Sequence, residues 1–267
     1  MLLPEWSSHK CPIIGMLHAP PLPGSPDYRG DFAAVRLAIL RDAETLVEGG
    51  VNGLMLENFG DSPFFPCRVP AITIAAMTSI AVDLKSRFDV PLGINVLRND
   101  GQSALAVAVA CGASFIRVNV LCGARVADQG LIVAIAHDLL RDRANLAATS
   151  IRIWADVDVK HSAAVADRSL TDEVHDLIDR GKADSVIVSG SATGQPINDE
   201  TLRLVKAAAA FTPVIIGSGA AAESIHKFLP FADGLIVGSS VKRDGHVRNA
   251  VELLRVQKLV DAVRSIS

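Results

Sequence analysis

The sequence predicts a (β/α)8 TIM barrel, with residues 1–267 forming a single domain. Three observations lead there. Short β-rich runs alternate with helical patterns from end to end, eight of each. The chain has 267 residues, the size of one such barrel. It is 49% hydrophobic but only 4% aromatic, with Val, Ile, Leu and Ala abundant. That composition suits a parallel sheet buried on both faces and wrapped by Ala-rich helices.

The strands expected are 12–17, 53–57, 92–96, 115–120, 152–157, 185–189, 213–217 and 234–238. Helical patterns lie near 33–48, 71–87, 102–110, 128–147, 171–180, 198–209, 220–228 and 247–264. Asp31 is placed to cap the first helix, and Gly49-Gly50 to end it. Asp89-Val90-Pro91 stops the second, because the residue before a proline avoids helical geometry. Gly112 and Gly181 close the third and fifth. No linker or shift in composition divides the chain. An open doubly wound sheet is the alternative, and it requires a reversal of strand order.

Several function classes are excluded by bulk chemistry. Charged residues make up 21% and the net charge is −3, so no basic excess points to nucleic acid or an acidic membrane. The longest uncharged stretch, Ala207 to Ala222, is broken by Pro213, Gly217 and Gly219 and does not read as a membrane span. Cys11, Cys67, Cys111 and Cys122 form no CxxC pair, so neither a zinc site nor a disulfide framework is expected. The opening MLLPEWSSHK lacks the apolar core of a signal peptide, and a reducing cytoplasm is the expected compartment.

In either architecture ligands bind beyond the carboxyl ends of the strands, so the residues following each strand carry the chemistry. Strand seven is followed by Gly217-Ser218-Gly219 and a helix opening near Ala220; strand eight is followed by Gly238-Ser239-Ser240. Small residues let backbone N–H groups approach a phosphate, and a helix N-terminus favours negative charge. Tight turns alone are the bland alternative. Strand six ends in Ser189-Gly190-Ser191-Ala192-Thr193-Gly194, where Ser189, Gly190 and Thr193 are candidates to hold the polar end of a substrate.

Strand five runs into Asp156-Val157-Asp158-Val159-Lys160-His161. If alternation persists, Asp156, Asp158 and Lys160 face one way, toward the barrel mouth. Two carboxylates beside an ammonium can hold a divalent cation such as Mg²⁺, with Asp156 and Asp158 as ligands, or transfer protons. An ion pair capping the barrel is the non-functional alternative. Glu57 and Asn58 end strand two, Glu57 as a candidate base or metal ligand and Asn58 as a candidate ligand for a substrate hydroxyl. Asn95, Arg117 and Asn119 are candidate phosphate or hydroxyl ligands, with an internal salt bridge the competing role for Arg117. His18 can act near neutral pH, although a lone histidine is more often structural. The stiff loop Ala19-Pro20-Pro21-Leu22-Pro23-Gly24-Ser25-Pro26 after it can wall the site or join copies in the expected homo-oligomer.

The segments IGMLHAPPLPGSP, LENFGDSPF, GINVLRND, FIRVNV, ADVDVKHS, VSGSATG and VIIGSG, in this order over nearly the whole chain, resemble the BtpA/SgcQ family. The resemblance implies a barrel related to the ribulose-phosphate-binding barrels and puts phosphate on Gly217, Ser218, Gly219, Gly238 and Ser239. The family's cyanobacterial namesake is associated with accumulation of photosystem I, and bacterial relatives with sugar-uptake or catabolic gene sets. Asp158-Val159-Lys160 also matches the D-x-K core of the orotidine-monophosphate decarboxylase group. Ala163 stands where that pattern has its last Asp, and the strand is the fifth and not the third, so the match is set aside.

The expectation is therefore an enzyme acting on a phosphorylated small molecule, a sugar phosphate or a nucleoside-like metabolite. Glu57, Asp156, Asp158, Lys160 and His18 are its catalytic candidates. A metal-assisted hydrolase is the enzymatic alternative. A non-catalytic assembly factor and a phosphometabolite sensor are the alternatives from other classes.

Overall fold

The computed structural model describes residues 2–190 and 198–266. The described strands are β1 (Ile13–His18), β2 (Gly53–Glu57), β3 (Leu92–Asn95), β4 (Phe115–Val118), β5 (Ala124–Ala127), β6 (Gly130–Val133), β7 (Arg152–Asp156), β8 (Ser162–Ala164), β9 (Ser185–Val188), β10 (Val214–Ile216) and β11 (Gly234–Val237). Eight of these close a barrel in the order β1-β2-β3-β4-β7-β9-β10-β11, every pair parallel, with β11 returning to β1. The open-sheet alternative falls.

Period-two alternation sorts each strand between two cores. Ile14, Met16, Met55, Phe115, Trp154, Ile187, Ile215 and Ile236 pack together in the barrel interior. Their strand neighbours, among them Ile13, Leu54, Ile116, Ile153, Val186 and Leu235, join the separate layer shared with the helices. Phe115 and Trp154 stack inside the barrel with centroids 3.7 Å apart. The N-terminal segment contributes Leu2, Leu3 and Trp6 to the same interior cluster. The Trp6 indole lies 6.1 Å from both rings and donates to the Asn52 carbonyl at 2.8 Å. Because Asn52 precedes β2, this plug closes the amino end of the barrel and leaves the carboxyl end as its mouth.

The helices are α1 (Phe32–Glu48), α2 (Ala71–Arg87), α3 (Gly101–Cys111), α4 (Ala136–Asn145), α5 (Leu170–His175), α6 (Asp199–Ala209) and α7 (Leu253–Arg264). Local chemistry sets their ends. Asp31 caps α1 by accepting from the Ala34 amide at 2.9 Å, and Asp100 caps α3 by accepting from Ser103 at 3.0 Å. Each such cap contributes about 1 kcal/mol. Gly112 ends α3 in the left-handed conformation, φ 71°. In α1 the buried residues Val35, Ile39, Leu40, Ala43 and Leu46 recur at helical spacing, which turns that stripe onto the sheet.

Two expected helices are corrected. The stretch 128–147 holds β6 and the shorter α4. There β5 and β6 form a hairpin about Asp128-Gln129, and β8 pairs with β5 to complete a three-stranded antiparallel sheet. Ile132 of that sheet packs on Val120 and Val159, which draws the hairpin over the mouth. The stretch 220–228 forms no α-helix among the described residues, only a 3-10 turn at Ile225–Lys227 followed by another at Leu229–Phe231. Pro230 there denies a longer helix its amide.

Candidate functional site

Two residues beyond the apolar interior layer, the alternation delivers a second inward layer at the mouth. Ile14 and Met16 lead to His18, Met55 to Glu57, Gly93 to Asn95, Phe115 to Arg117 and Asn119, and Trp154 to Asp156. Ile187 leads to Ser189, Ile215 to Gly217 and Ile236 to Gly238. Polar or small residues therefore replace aliphatic ones at the same angular positions, one strand after another. They line, or lie immediately beneath, a cavity of about 680 Å³ at the carboxyl end of the barrel. That size suits a small metabolite.

Arg117 holds the centre. Its Nε donates to Asp156 Oδ2 at 2.9 Å and its Nη2 to Oδ1 at 2.7 Å. Asn119 Nδ2 donates to the same carboxylate at 2.7 Å. Beside it, Glu57 Oε2 accepts from Asn95 Nδ2 at 2.6 Å, and Glu57 Oε1 lies 3.9 Å from His18 Nε2. Burial pushes the Glu57 carboxyl above its ordinary range, although Arg117, Asn95 and Lys160 pull the other way. Burial, with the positive charges of Lys242, Lys160 and Arg117 adding to it, holds the His18 imidazole down at about 3, so it is neutral at working pH. Its Nδ1 is buried without a hydrogen-bond partner among the described residues, as are Asn119 Oδ1 and Arg98 Nε.

Lys160 lines the cavity on the segment leaving β7, where Arg98 Nη2 donates to its backbone carbonyl at 2.5 Å. Burial and the nearby Arg117 bring its amine down to about 8. Loops after β10 and β11 form the facing part of the wall, with Gly217, Ser218, Gly219, Ala220, Gly238, Ser239 and Ser240. Gly217 has no space for a side chain: a Cβ there would sit 2.6 Å from Ser189 Oγ and 2.5 Å from Ile187. Gly219 takes φ +75°, which turns the chain in a way L side chains rarely adopt. The amides of Ser218, Gly219 and Ala220 donate to no backbone acceptor among the described residues.

The structure corrects several expected roles. The strand ends at Asp156, so alternation does not carry on to Asp158, which is exposed and paired with Arg125 of β5. Asp156 and Asp158 therefore do not converge on a divalent cation, since the first spends both oxygens on Arg117 and Asn119. No group of three or more potential ligand side chains suits a metal among the described residues. Asn58 is buried but brackets the chain after β3, accepting from the Leu97 amide at 2.7 Å and donating to its carbonyl at 3.4 Å. It is not part of the cavity wall. Asn95 and Ser189 lie beneath the wall, and the Gly190 amide is 3.3 Å from Ser218 Oγ. Thr193 lies outside the described residues. The loop at 217–219, expected to hold a phosphate, has no α-helix directly behind it among the described residues, so an anion there would rely on loop amides and not on a helix dipole.

Other wall residues were not singled out from sequence. Arg98 lies within the GINVLRND segment three positions after Asn95, a location just past the strand end that marks it in hindsight. Asp128 and Gln129 reach the cavity only because their segment is a hairpin, and Arg248 comes from far along the chain. Phe59 and Phe64 add an aromatic wall, Phe59 meeting the His18 ring edge-on at 4.9 Å.

No helix among the described residues is long and apolar enough to cross a membrane, and all four cysteines are free. Comparison with known proteins agrees with the fold. KGPDC from Streptococcus mutans superposes with a TM-score of 0.59 over 96% of this chain and 98% of that one, at 13% identity, a likeness of fold alone. The photosystem I biogenesis protein BtpA of Synechocystis is 46% identical over 94% of this chain and 88% of its own length. An uncharacterised protein of Thermococcus kodakarensis is 46% identical over 96% of both chains. The BtpA family model matches residues 9–265, and the chain belongs to the BtpA family.

Proposed function

We propose that the protein is an enzyme acting on a phosphorylated small metabolite, moving a proton next to a carbonyl group. The observation that carries this reading is the composition of one cavity, which joins a buried carboxylate, Glu57, an amine, Lys160, and two small-residue loops with unengaged amides. The loops at 217–219 and 238–240 suit a phosphate, with the Arg248 side chain as a further cation on the wall. Glu57, whose basicity burial raises, is the group to accept a proton from carbon. Lys160 supplies positive charge where an enolate oxygen develops. Asp156 is committed to Arg117 and Asn119, and its role is to hold that guanidinium in the mouth. Neutral His18 and the open acceptor of Asn119 offer hydrogen bonds to hydroxyls.

A thermal-shift screen tests the reading. Phosphorylated aldoses and ketoses are compared with their unphosphorylated counterparts, with and without Mg²⁺. A ligand at a hundredfold excess over its Kd should raise the melting temperature by roughly 5 °C or more. Gly217→Val should abolish the shift. Absence of any phosphate-dependent shift overturns the reading.

A second reading, an assembly factor, draws support from the name of the Synechocystis relative and from the outer face of the mouth sheet. Val126, Leu131 and Val133 are exposed there. Binding without turnover of any ligand found in the screen would favour that reading or a sensor.

A further inference from the structure

Among the lysines of this chain, Lys160 is placed differently from those with structural work. Lys242 is buried and its ammonium meets Asp42 at 2.9 Å, and Lys206 meets Asp233 at 2.5 Å. Lys160 also lies largely out of solvent, yet its ammonium makes no hydrogen bond or ion pair among the described residues. The carboxylates in its surroundings are already engaged, Glu57 with Asn95 and Asp156 with Arg117 and Asn119.

The backbone around Lys160 is pinned. Arg98 Nη2 holds its carbonyl at 2.5 Å, Ser162 Oγ holds the Val159 carbonyl at 2.5 Å, and Val159 packs on Val120 and Ile132. A flexible side chain is thus delivered from a fixed stem into a cavity that also contains the Arg98 and Arg117 guanidiniums. Two permanent cations and partial burial disfavour a third charge, so the neutral amine is accessible near neutral pH. Charge alone would be better supplied by a third arginine. An amine that can lose its proton does what a guanidinium cannot.

We propose that Lys160 Nζ is a nucleophile that forms an imine with the carbonyl carbon of the substrate. The inference rests on the proposed function and narrows its substrate class to phosphorylated aldehydes and ketones. The neutral amine adds to the carbonyl carbon, and a proton passes from the nitrogen to the former carbonyl oxygen to give a carbinolamine. A second proton lets that oxygen leave as water while the nitrogen lone pair forms the C=N bond. The protonated imine draws electrons from the adjacent C–H bond, and Glu57 accepts that proton. Reprotonation at carbon followed by addition of one water releases the product and restores the amine, so no oxidant or reductant is consumed.

Reductive trapping of the full chain tests the proposal. The protein is incubated at pH 7.5 with sodium cyanoborohydride and either dihydroxyacetone phosphate or dihydroxyacetone, and the adducts are mapped by peptide mass spectrometry. The expected result is one adduct per chain on Lys160, formed on the order of tenfold or more faster than on any other lysine because more of this amine is neutral. Lys160→Arg, checked for an intact melting transition, should show none there. Labelling spread over the other lysines without enrichment at Lys160 in the unmutated chain would overturn the proposal, whatever the variant does. A thermal shift with dihydroxyacetone phosphate, run in parallel, separates the two claims. A shift without an adduct sinks the imine and leaves the phosphate site standing. An adduct at Lys160 formed equally fast from the unphosphorylated ketone upholds the imine and removes the phosphate site.

Discussion

Arg117 and Asp156 form a two-point ion pair inside the barrel mouth, Nε to Oδ2 at 2.9 Å and Nη2 to Oδ1 at 2.7 Å, with both side chains almost wholly buried. Alternation on β4 and β7 aims both inward, and the parallel register that sets Arg117 beside Trp154 brings Asp156 within its reach. The pair explains why the richest acidic segment of the sequence leaves no free carboxylate on β7, and why the proposed base is Glu57.

Removing one partner strands the other. Arg117→Met or Asp156→Leu alone should cost about 3–5 kcal/mol of unfolding free energy, because a buried charge is left without compensation. The double replacement should cost clearly less than the sum. Urea unfolding of the four proteins in a double-mutant cycle measures this, and additivity would show that the two groups act independently.

Lys160 should make stability depend on alkaline pH. Its amine titrates at about 8 in the folded chain against an ordinary 10.5. Between those values the unfolded chain binds the extra proton, so stability rises with pH across the window. Below it the folded protein carries the full penalty of keeping a half-buried cation. Lys160→Met should therefore be more stable than the parent at pH 7, by about 1–3 kcal/mol, with the advantage fading between pH 8 and 10.5. Chemical denaturation at intervals from pH 7 to 10.5 checks it; an advantage that does not change with pH would mean better packing and not relief of charge.

The two small-residue loops should fail differently. A Cβ on Gly217 would lie 2.5 Å from Ile187 and 2.6 Å from Ser189 Oγ, so Gly217→Ala should cost about 1–3 kcal/mol in stability as well as phosphate affinity. At Gly238 the new methyl would meet one atom inside 3 Å, His18 Cε1 at 2.8 Å, against the two at Gly217. Gly238→Ala should weaken ligand binding with a smaller change in melting temperature. Equal losses of stability in both variants would contradict this.

The barrel was legible because period-two alternation and strict β/α order are local signals, and all eight mouth positions are among the residues singled out. His18, Glu57, Asn95, Arg117, Asp156, Ser189 and Gly217 all fall on the inward phase of their strands, and Gly238 completes the ring. What escaped depends on where strands stop. Asp158 shares the phase of Asp156 in sequence, but the strand ends between them and Arg125 draws it outward. The second strand of the hairpin at 124–133 was hidden in the apparently helical stretch 128–147, because short apolar runs carry either period. The N-terminal plug carried no signal, since Leu2, Leu3 and Trp6 become meaningful only once the barrel floor exists. The expected helix at 220–228 rested on an Ala-rich composition that tertiary packing overrode.

Proton exchange into a bound substrate tests the central claim most directly. Every phosphorylated aldehyde or ketone that shifts the melting temperature is incubated with the protein in deuterated water and followed by NMR. At least one should take up deuterium at the carbon beside its carbonyl, and Glu57→Gln, which keeps the acceptor for Asn95, should slow that uptake by roughly 10²-fold or more while still binding the ligand. No exchange with any ligand that binds, or exchange equally fast in Glu57→Gln, would contradict the account.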